Sequence, residues 1–408
     1  MLTAPGRATA LLLNVAHALD HMFLLIFATS VVTIATDFGV ARWEDLMPYG
    51  VGAFLLFGLG ALPAGRLGDL WGRRRMMLVF FFGLGASALL VAATQNAWQL
   101  AAALTLLGAF AAIYHPVGIP MLVRGARRPG YTIGVNGLAG NLGVAMAAVT
   151  TGLLVKYLGW RAAFALPALL SIGCGILFAR VAPDESAPPA RGEAPASEHS
   201  AGMIARIFFI MTMAAVSASV LFNFATNGNG ELLRERLAGI VDDPAALGAL
   251  LAVVYVVAAF AQIAVGLLID RFPMKNLFIC IVALQAPLFY LAASASGWQL
   301  YALQLAFMIV VFGAIPFTDA IIVRYVDDRM RSRVSGMRFF VSFGVSSIAV
   351  WALGPVVKAG GFESLLLAMS VIALITLATV TLLPRSARPA GSEITAPAEP
   401  PRSPSAAD

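Results

Sequence analysis

TALLLNVAHALDHMFLLIFATSVVTIAT, residues 9–36, is an almost unbroken apolar run with two histidines and an aspartate in its first half. A helix that crosses a bilayer needs about 20 predominantly apolar residues, and this run exceeds that. A secretory leader has a shorter apolar core and a small-residue cleavage site before a polar mature domain. Here a second apolar run follows at once, so residues 9–36 read as a retained spanning helix.

The rest of the chain repeats the pattern. Of its 408 residues 60% are hydrophobic and 12% charged, with a mean hydropathy of +0.86. A soluble domain carries about 25% charged residues to wet its surface, so the solvent implied here is lipid. Spans are predicted over 9–36, 46–66, 74–94, 98–124, 131–157 and 161–182, then over 204–228, 246–269, 275–295, 298–324, 333–357 and 362–383. Residues 183–203, rich in Pro, Ala, Ser and charge, cannot bury enough apolar surface to order themselves and read as a flexible linker. Residues 385–408 have the same character and read as a disordered tail. The expected organisation is therefore a six-helix bundle over 1–182, a linker, and a second six-helix bundle over 204–384.

The net charge of +6 reflects topology and implies no nucleic-acid partner. Of 27 Lys and Arg residues, twenty fall on the side of the amino terminus, linker and tail. Six (Arg42, Lys156, Arg161, Arg234, Arg236 and Lys358) fall on the other side, and Arg338 lies within a span. Basic loops stay cytoplasmic, so both termini are expected inside a multi-pass protein of the cell (inner) membrane. The two cysteines, Cys174 and Cys280, stand singly inside apolar runs, which implies neither a disulfide framework nor a zinc site.

The halves also repeat each other. Gly65-Arg66-Leu67-Gly68-Asp69 recurs as Gly266-Leu267-Leu268-Ile269-Asp270, and Trp98-Gln99-Leu100 as Trp298-Gln299-Leu300. Pro116, Val123 and Arg124 match Pro316, Val323 and Arg324 at nearly the same offset. A parallel duplication places a substrate path near the midplane, between the halves.

GRLGDLWGRRRMM, residues 65–77, closely resembles the major facilitator signature GxLaDRxGRKxxL between helices 2 and 3. Gly65, Leu67, Asp69, Gly72, Arg73 and Arg74 match, while Leu70 replaces a basic residue; GLLIDRFPMK at 266–275 is a partial copy that includes Asp270 and Arg271. The resemblance implies an all-α fold of twelve helices in two pseudo-symmetric bundles, and a latch at these residues that holds one state of an alternating-access cycle. Three further stretches resemble the fosmidomycin-resistance-like transporters: His17-Ala18-Leu19-Asp20, GAFAAIYHPVGIPMLVR at 108–124, and GLAGNLGVAMAA at 137–148. Val117 stands where drug-exporting members often carry an acid, and Ala147-Ala148 replaces the Gly-Pro end of an antiporter helix.

Polar groups inside spans carry the chemical signal, because each is costly in hydrocarbon unless paired or wet. Asn14, His17, Asp20 and His21 fall within roughly a 120° arc of one helix. Two imidazoles beside a carboxylate can exchange protons near neutral pH, or the stripe simply faces neighbouring helices. His115 precedes Pro116, which frees a carbonyl and kinks its helix. Asn223 and Asn227 share a face of the seventh span, either as interhelical amide contacts or, as the resemblance implies, on the cavity; Asn136 and Asn141 lie on the glycine-rich fifth. Asp319 and Arg338 are charges well inside the second half; they pair with each other or face the cavity, where Arg338 would receive an anionic group.

Proton coupling is accordingly expected of Asp20, His17, His21, His115 and Asp319. Substrate contact is expected of Asn14, Asn136, Asn141, Asn223, Asn227 and Arg338. The expected function is secondary transport of a small organic solute or drug, as proton-coupled efflux by a monomer without cofactor or metal. The alternatives are import of an organic anion and a non-transporting membrane sensor. No GxxxxGK[ST] or HExxH occurs, which disfavours ATP-driven pumping and a metalloprotease.

Overall fold

The computed structural model describes residues 6–124, 129–183, 201–269, 271–325 and 328–383, excepting the side chains at 129–131, 201, 203–205, 207–208 and 318–339. Every described element is a helix. In a bilayer each backbone N–H and C=O must be satisfied within the protein, and a helix does this within one segment.

The first half begins with α1 (Arg7–Asp37). The second crossing is made of α2 (Trp43–Leu46), a 3-10 turn, α3 (Val51–Leu59) and α4 (Ala61–Trp71), with a bend of 45° between α3 and α4. After α5 (Arg73–Ala92), the fourth crossing runs through α6 (Ala97–Ala111), a π-helical turn over Tyr114–Gly118, and α7 (Ile119–Val123). Then come α8 (Pro129–Leu158) and α9 (Trp160–Val181). The second half contains α10 (Ala201–Arg236), α11 (Pro244–Ile269), α12 (Met274–Ser294), α13 (Gly297–Tyr325) and α14 (Asp328–Thr381).

The last of these is two crossings. Its apolar part, Phe340–Thr381, has 42 residues, about twice the length that about 30 Å of hydrocarbon accommodates at about 1.5 Å per residue. Gly361, at φ 68° and ψ −178°, interrupts the helix; glycine tolerates that backbone where a side chain would not. With this break and the bent pair counted as one, the described helices provide the twelve expected crossings. One boundary moves: α10 already starts at Ala201, inside the predicted linker.

The surface is apolar where lipid would lie. Leu169, Leu170, Phe260, Leu284, Leu291 and Leu374 are each more than half exposed, whereas Asp20, Asn136 and Gln304 are almost fully buried. Lipid gives helices little hydrophobic reason to associate, so close backbone approach through small residues does much of the packing. A Cβ on Gly143 would collide with the Ala18 carbonyl, joining α8 to α1. One on Gly248 would come within 2.5 Å of the Ala148 carbonyl, joining α11 to α8 across the two halves.

The connections at one end of the bundle, following α1, α8, α10 and the first part of α14, hold the six basic residues separated off above. All six are ion-paired. Arg42 meets Glu44 at 2.6 Å, Arg161 meets Asp37 at 2.8 Å, Arg234 meets Glu231 at 2.5 Å and Arg236 meets Glu235 at 3.5 Å. Lys156 pairs with Asp243, and Lys358 with Asp45. These last two bridges tie one half to the other.

Candidate functional site

Six predicted residues from three separate stretches of sequence converge inside the first half. Helix α1 brings Asn14, His17, Asp20 and His21 along one face, and the π turn brings His115. A π turn widens the helix by one residue and changes where its side chains point; such turns recur at functional sites. Gly140 on α8 leaves the space that the His17 ring occupies: a Cβ there would lie 2.6 Å from His17 Cε1.

His17 is held on three sides. Its Nδ1 is 2.7 Å from the backbone carbonyl oxygen of Asn136. That oxygen can only accept, so Nδ1 carries the hydrogen, and in the neutral ring Nε2 keeps its lone pair. His21 Nε2 lies 3.1 Å from that atom and is then the donor. Tyr114 stacks on the His17 ring, with centroids 4.7 Å apart and planes 17° apart. The Asn136 side chain completes the frame by donating to Asn14 Oδ1 at 2.9 Å and to the Tyr114 hydroxyl at 2.6 Å.

Asp20 is 0% exposed, and neither carboxylate oxygen has a hydrogen-bond partner among the described residues. Its neighbour is His115, whose Nε2 lies 3.6 Å from Oδ2, beyond hydrogen-bond length. A bare carboxylate in such surroundings is costly, so the site favours whatever neutralises it, a proton or a cation. His115 also reaches the boundary with the second half, with ring centroids 5.7 Å from Phe57 and 5.8 Å from Phe343 of α14.

The other predicted residues go elsewhere. Asn141 donates to Gln262 on α11 at 2.5 Å, so in this conformation it joins the halves. Asn223 donates to Ser346 Oγ at 3.0 Å and to the Ser219 carbonyl at 2.9 Å, and Asn227 donates to the Asn223 carbonyl at 3.0 Å. Only the Asn223–Ser346 bond crosses from α10 to α14; the other two run within α10. The side chains of Asp319 and Arg338, and Asp270 altogether, lie outside the described residues.

In the predicted latch, Gly72 (φ 92°) makes the sharp turn from α4 into α5. Gly65 and Gly68 face Pro116 and Val117, so α4 packs on the turn that carries His115. Arg74 donates to the carbonyls of Ala182 at 2.8 Å and Ala179 at 2.6 Å, satisfying the end of α9 as basic side chains commonly do. Asp69 and Arg271 are exposed, and Asp69 has no hydrogen bond or ion pair among the described residues.

Sequence reasoning assigned no role to Tyr114 or to the two bridges across the halves. The adjacency of Tyr114 to His115 was the one available signal. The bridges join residues far apart in sequence, and charge pattern alone does not pair them.

Comparison with known proteins agrees with the fold. The family model described as Major Facilitator Superfamily matches residues 12–237, more than half of the chain. The chain is 36% identical over 132 residues to the puromycin resistance protein pur8 of Streptomyces alboniger, covering 30% of this chain and 26% of that one. It is 30% identical over 146 residues to a probable actinorhodin transporter of Streptomyces coelicolor, covering 34% and 25%. The matches thus span about a quarter of the length of these curated relatives. Among solved structures, a bacterial homolog of the human lysosomal transporter Spinster, in an inward-facing and occupied conformation, superposes with a TM-score of 0.73 at 15% identity, over 92% of this chain and 96% of that one. The nucleoside transporter NupG does so with a TM-score of 0.70 at 13% identity, over 92% and 99%.

Proposed function

The chain belongs to the Major Facilitator Superfamily, transport proteins rather than enzymes, and from that premise we propose that it exports a small organic solute or drug by alternating access, with proton movement through Asp20 supplying the drive. The observation that carries this reading is the buried Asp20 carboxylate, without a hydrogen-bond donor among the described residues and 3.6 Å from His115. A carboxylate so placed needs a proton in one state of the cycle and a path to release it in another. His115 and the His17–His21 pair are the relays within reach.

Export rests on two supports: the relatives named as a resistance protein and a probable transporter, and the resemblance to the fosmidomycin-resistance-like subgroup. For orientation, the six basic residues at one end of the bundle are neutralised by acids. The remaining loops keep their excess positive charge, which favours a cytoplasmic face for the linker and both termini. The halves are then 1–182 and 201–384, joined by a cytoplasmic linker over 183–200, with a cytoplasmic tail over 385–408. Asp69 without a partner among the described residues at the cytoplasmic end, together with bridges made at the opposite end, fits the state with the latch released.

Inverted membrane vesicles with an imposed pH gradient test the reading, using a panel of drugs that includes puromycin. Accumulation of a panel member that collapses with the gradient supports it. Absence of gradient-driven movement across the panel, with correctly inserted protein, contradicts it.

A further inference from the structure

The histidine–aspartate cluster fits a second ligand. One nitrogen from each of His17, His21 and His115 lies within 4.8 Å of the other two. Asp20 Oδ2 stands beside one of them, 3.6 Å from His115 Nε2. We propose that the three imidazoles bind a divalent transition-metal ion of the zinc and cobalt type, with the Asp20 carboxylate as the counter-charge beside it.

Three features of the geometry carry this. The first is the donor set and its dimensions. Three imidazoles are borderline nitrogen ligands of the kind zinc takes in tetrahedral sites that keep the fourth position open, at about 2.0–2.1 Å. That radius puts neighbouring ligand atoms about 3.4 Å apart. The 3.1 Å between His21 Nε2 and His17 Nε2 is close to this value. The other imidazole separations, within 4.8 Å, close with relative shifts of at most about 1.4 Å.

The second feature is the support behind the ligands. A metal-binding histidine almost always donates its other ring N–H to a carbonyl or carboxylate, which fixes both tautomer and ring direction. His17 does this with Nδ1 on the Asn136 carbonyl, leaving Nε2 as the inward lone pair. Tyr114 stacked on one face and Gly140 against the ring edge hold the imidazole in that direction. His21 joins by shifting its hydrogen from Nε2 to Nδ1.

The third is charge. The Asp20 carboxylate lacks any hydrogen-bond donor among the described residues, and a dication supplies the missing positive partner. Three imidazoles in one group are also the ligand number of common zinc sites. Ion and protons compete for the same lone pairs, so binding weakens as pH falls. The inference does not rest on the export reading, because binding is measured at equilibrium with no transport.

The test uses the untagged full chain in detergent, in a Cys174→Ser/Cys280→Ser background that removes thiolate ligands. Cobalt titration should give the visible absorption of four-coordinate Co2+, saturating at one equivalent and displaced by zinc. His17→Ala, His115→Ala and Asp20→Asn should each weaken binding by more than about tenfold, whereas His199→Ala, which removes the one histidine outside the cluster, should leave it unchanged. X-ray absorption on the zinc-loaded background protein reads the ligands without a cluster variant and should count three imidazoles. No cobalt spectrum, undiminished binding in folded His17→Ala and His115→Ala variants, or fewer than two imidazoles on zinc would overturn the proposal.

Discussion

His115 Nε2 stands 3.6 Å from Asp20 Oδ2, near enough for a charge interaction and short of a hydrogen bond. The two residues belong to different helices, and His115 sits on a π turn packed against α4 of the latch region. A relative movement of less than about 1 Å would make the bond. Under the proposed alternating-access cycle, this is a contact that a small shift of the π turn makes or breaks.

Gly140→Ala should displace the His17 imidazole, because the added Cβ would lie 2.6 Å from its Cε1. The expected result is transport reduced by about tenfold or more in a folded protein. Gly134→Ala and Gly137→Ala on the same helix meet nothing within 4 Å. They should keep activity and gain slightly in Tm, since alanine favours a helix over glycine. Equal effects at all three positions would show that position 140 has no special relation to His17.

The two bridges across the halves should bias the conformational equilibrium. Lys358→Glu should shift the population a few-fold toward the state open at that end, read by cysteine accessibility of an introduced thiol near Trp43. Lys358→Asp combined with Asp45→Lys should restore the starting distribution. An unchanged distribution in Lys358→Glu would mean the bridge is incidental.

Neutral-range pH should not break the companion bridge. The Lys156 hydrogen bond, followed by the Ala246 backbone N–H, holds the Asp243 carboxyl below its ordinary value of 3.8. A lowered carboxylate value means the stabilisation is fully present above the ordinary value and is lost only as pH falls through the lowered one. Accessibility near Asp243 should therefore be flat from about pH 5 to 8, so a pH response in transport would have to arise elsewhere. A transition near this bridge within that window would contradict the assignment.

Asp69→Asn should lower transport at saturating substrate and leave Tm unchanged, since the side chain is exposed and has no partner among the described residues in this conformation. Unaltered maximal transport would reduce the motif to a topological marker.

Reporter fusions near Ala196 and in the tail should both read cytoplasmic, and one near Asp242 should read external. An external linker would reverse the orientation proposed from the basic residues.

Most of the fold was legible in the sequence because a spanning helix is set by length and hydropathy, properties of one segment at a time. The partition of α14 at Gly361 was legible as two runs, and the irregularity of the fourth crossing, a π turn over Tyr114–Gly118, was legible from Pro116. What composition could not give was the side-chain register across helices. His17, Asp20 and His21 were readable as one stripe, but their meeting with His115 depends on the π turn and on Gly140 making room. Asn141 and Asn223 looked alike as intramembrane amides; only the packing separates a contact between the halves from a seam within one. The duplication was informative in a different way: Pro116 recurs as Pro316, while the residue at His115 becomes Ile315. The histidine chemistry is thus confined to the first half.

The central claim is that Asp20 couples proton movement to transport, and Asp20→Asn reconstituted in proteoliposomes tests it most directly. Exchange of labelled for unlabelled substrate across a membrane without a gradient needs no net proton cycle and should persist. Accumulation driven by an imposed pH gradient should be lost, because the amide cannot carry the proton. Retention of gradient-driven accumulation in Asp20→Asn would contradict the account.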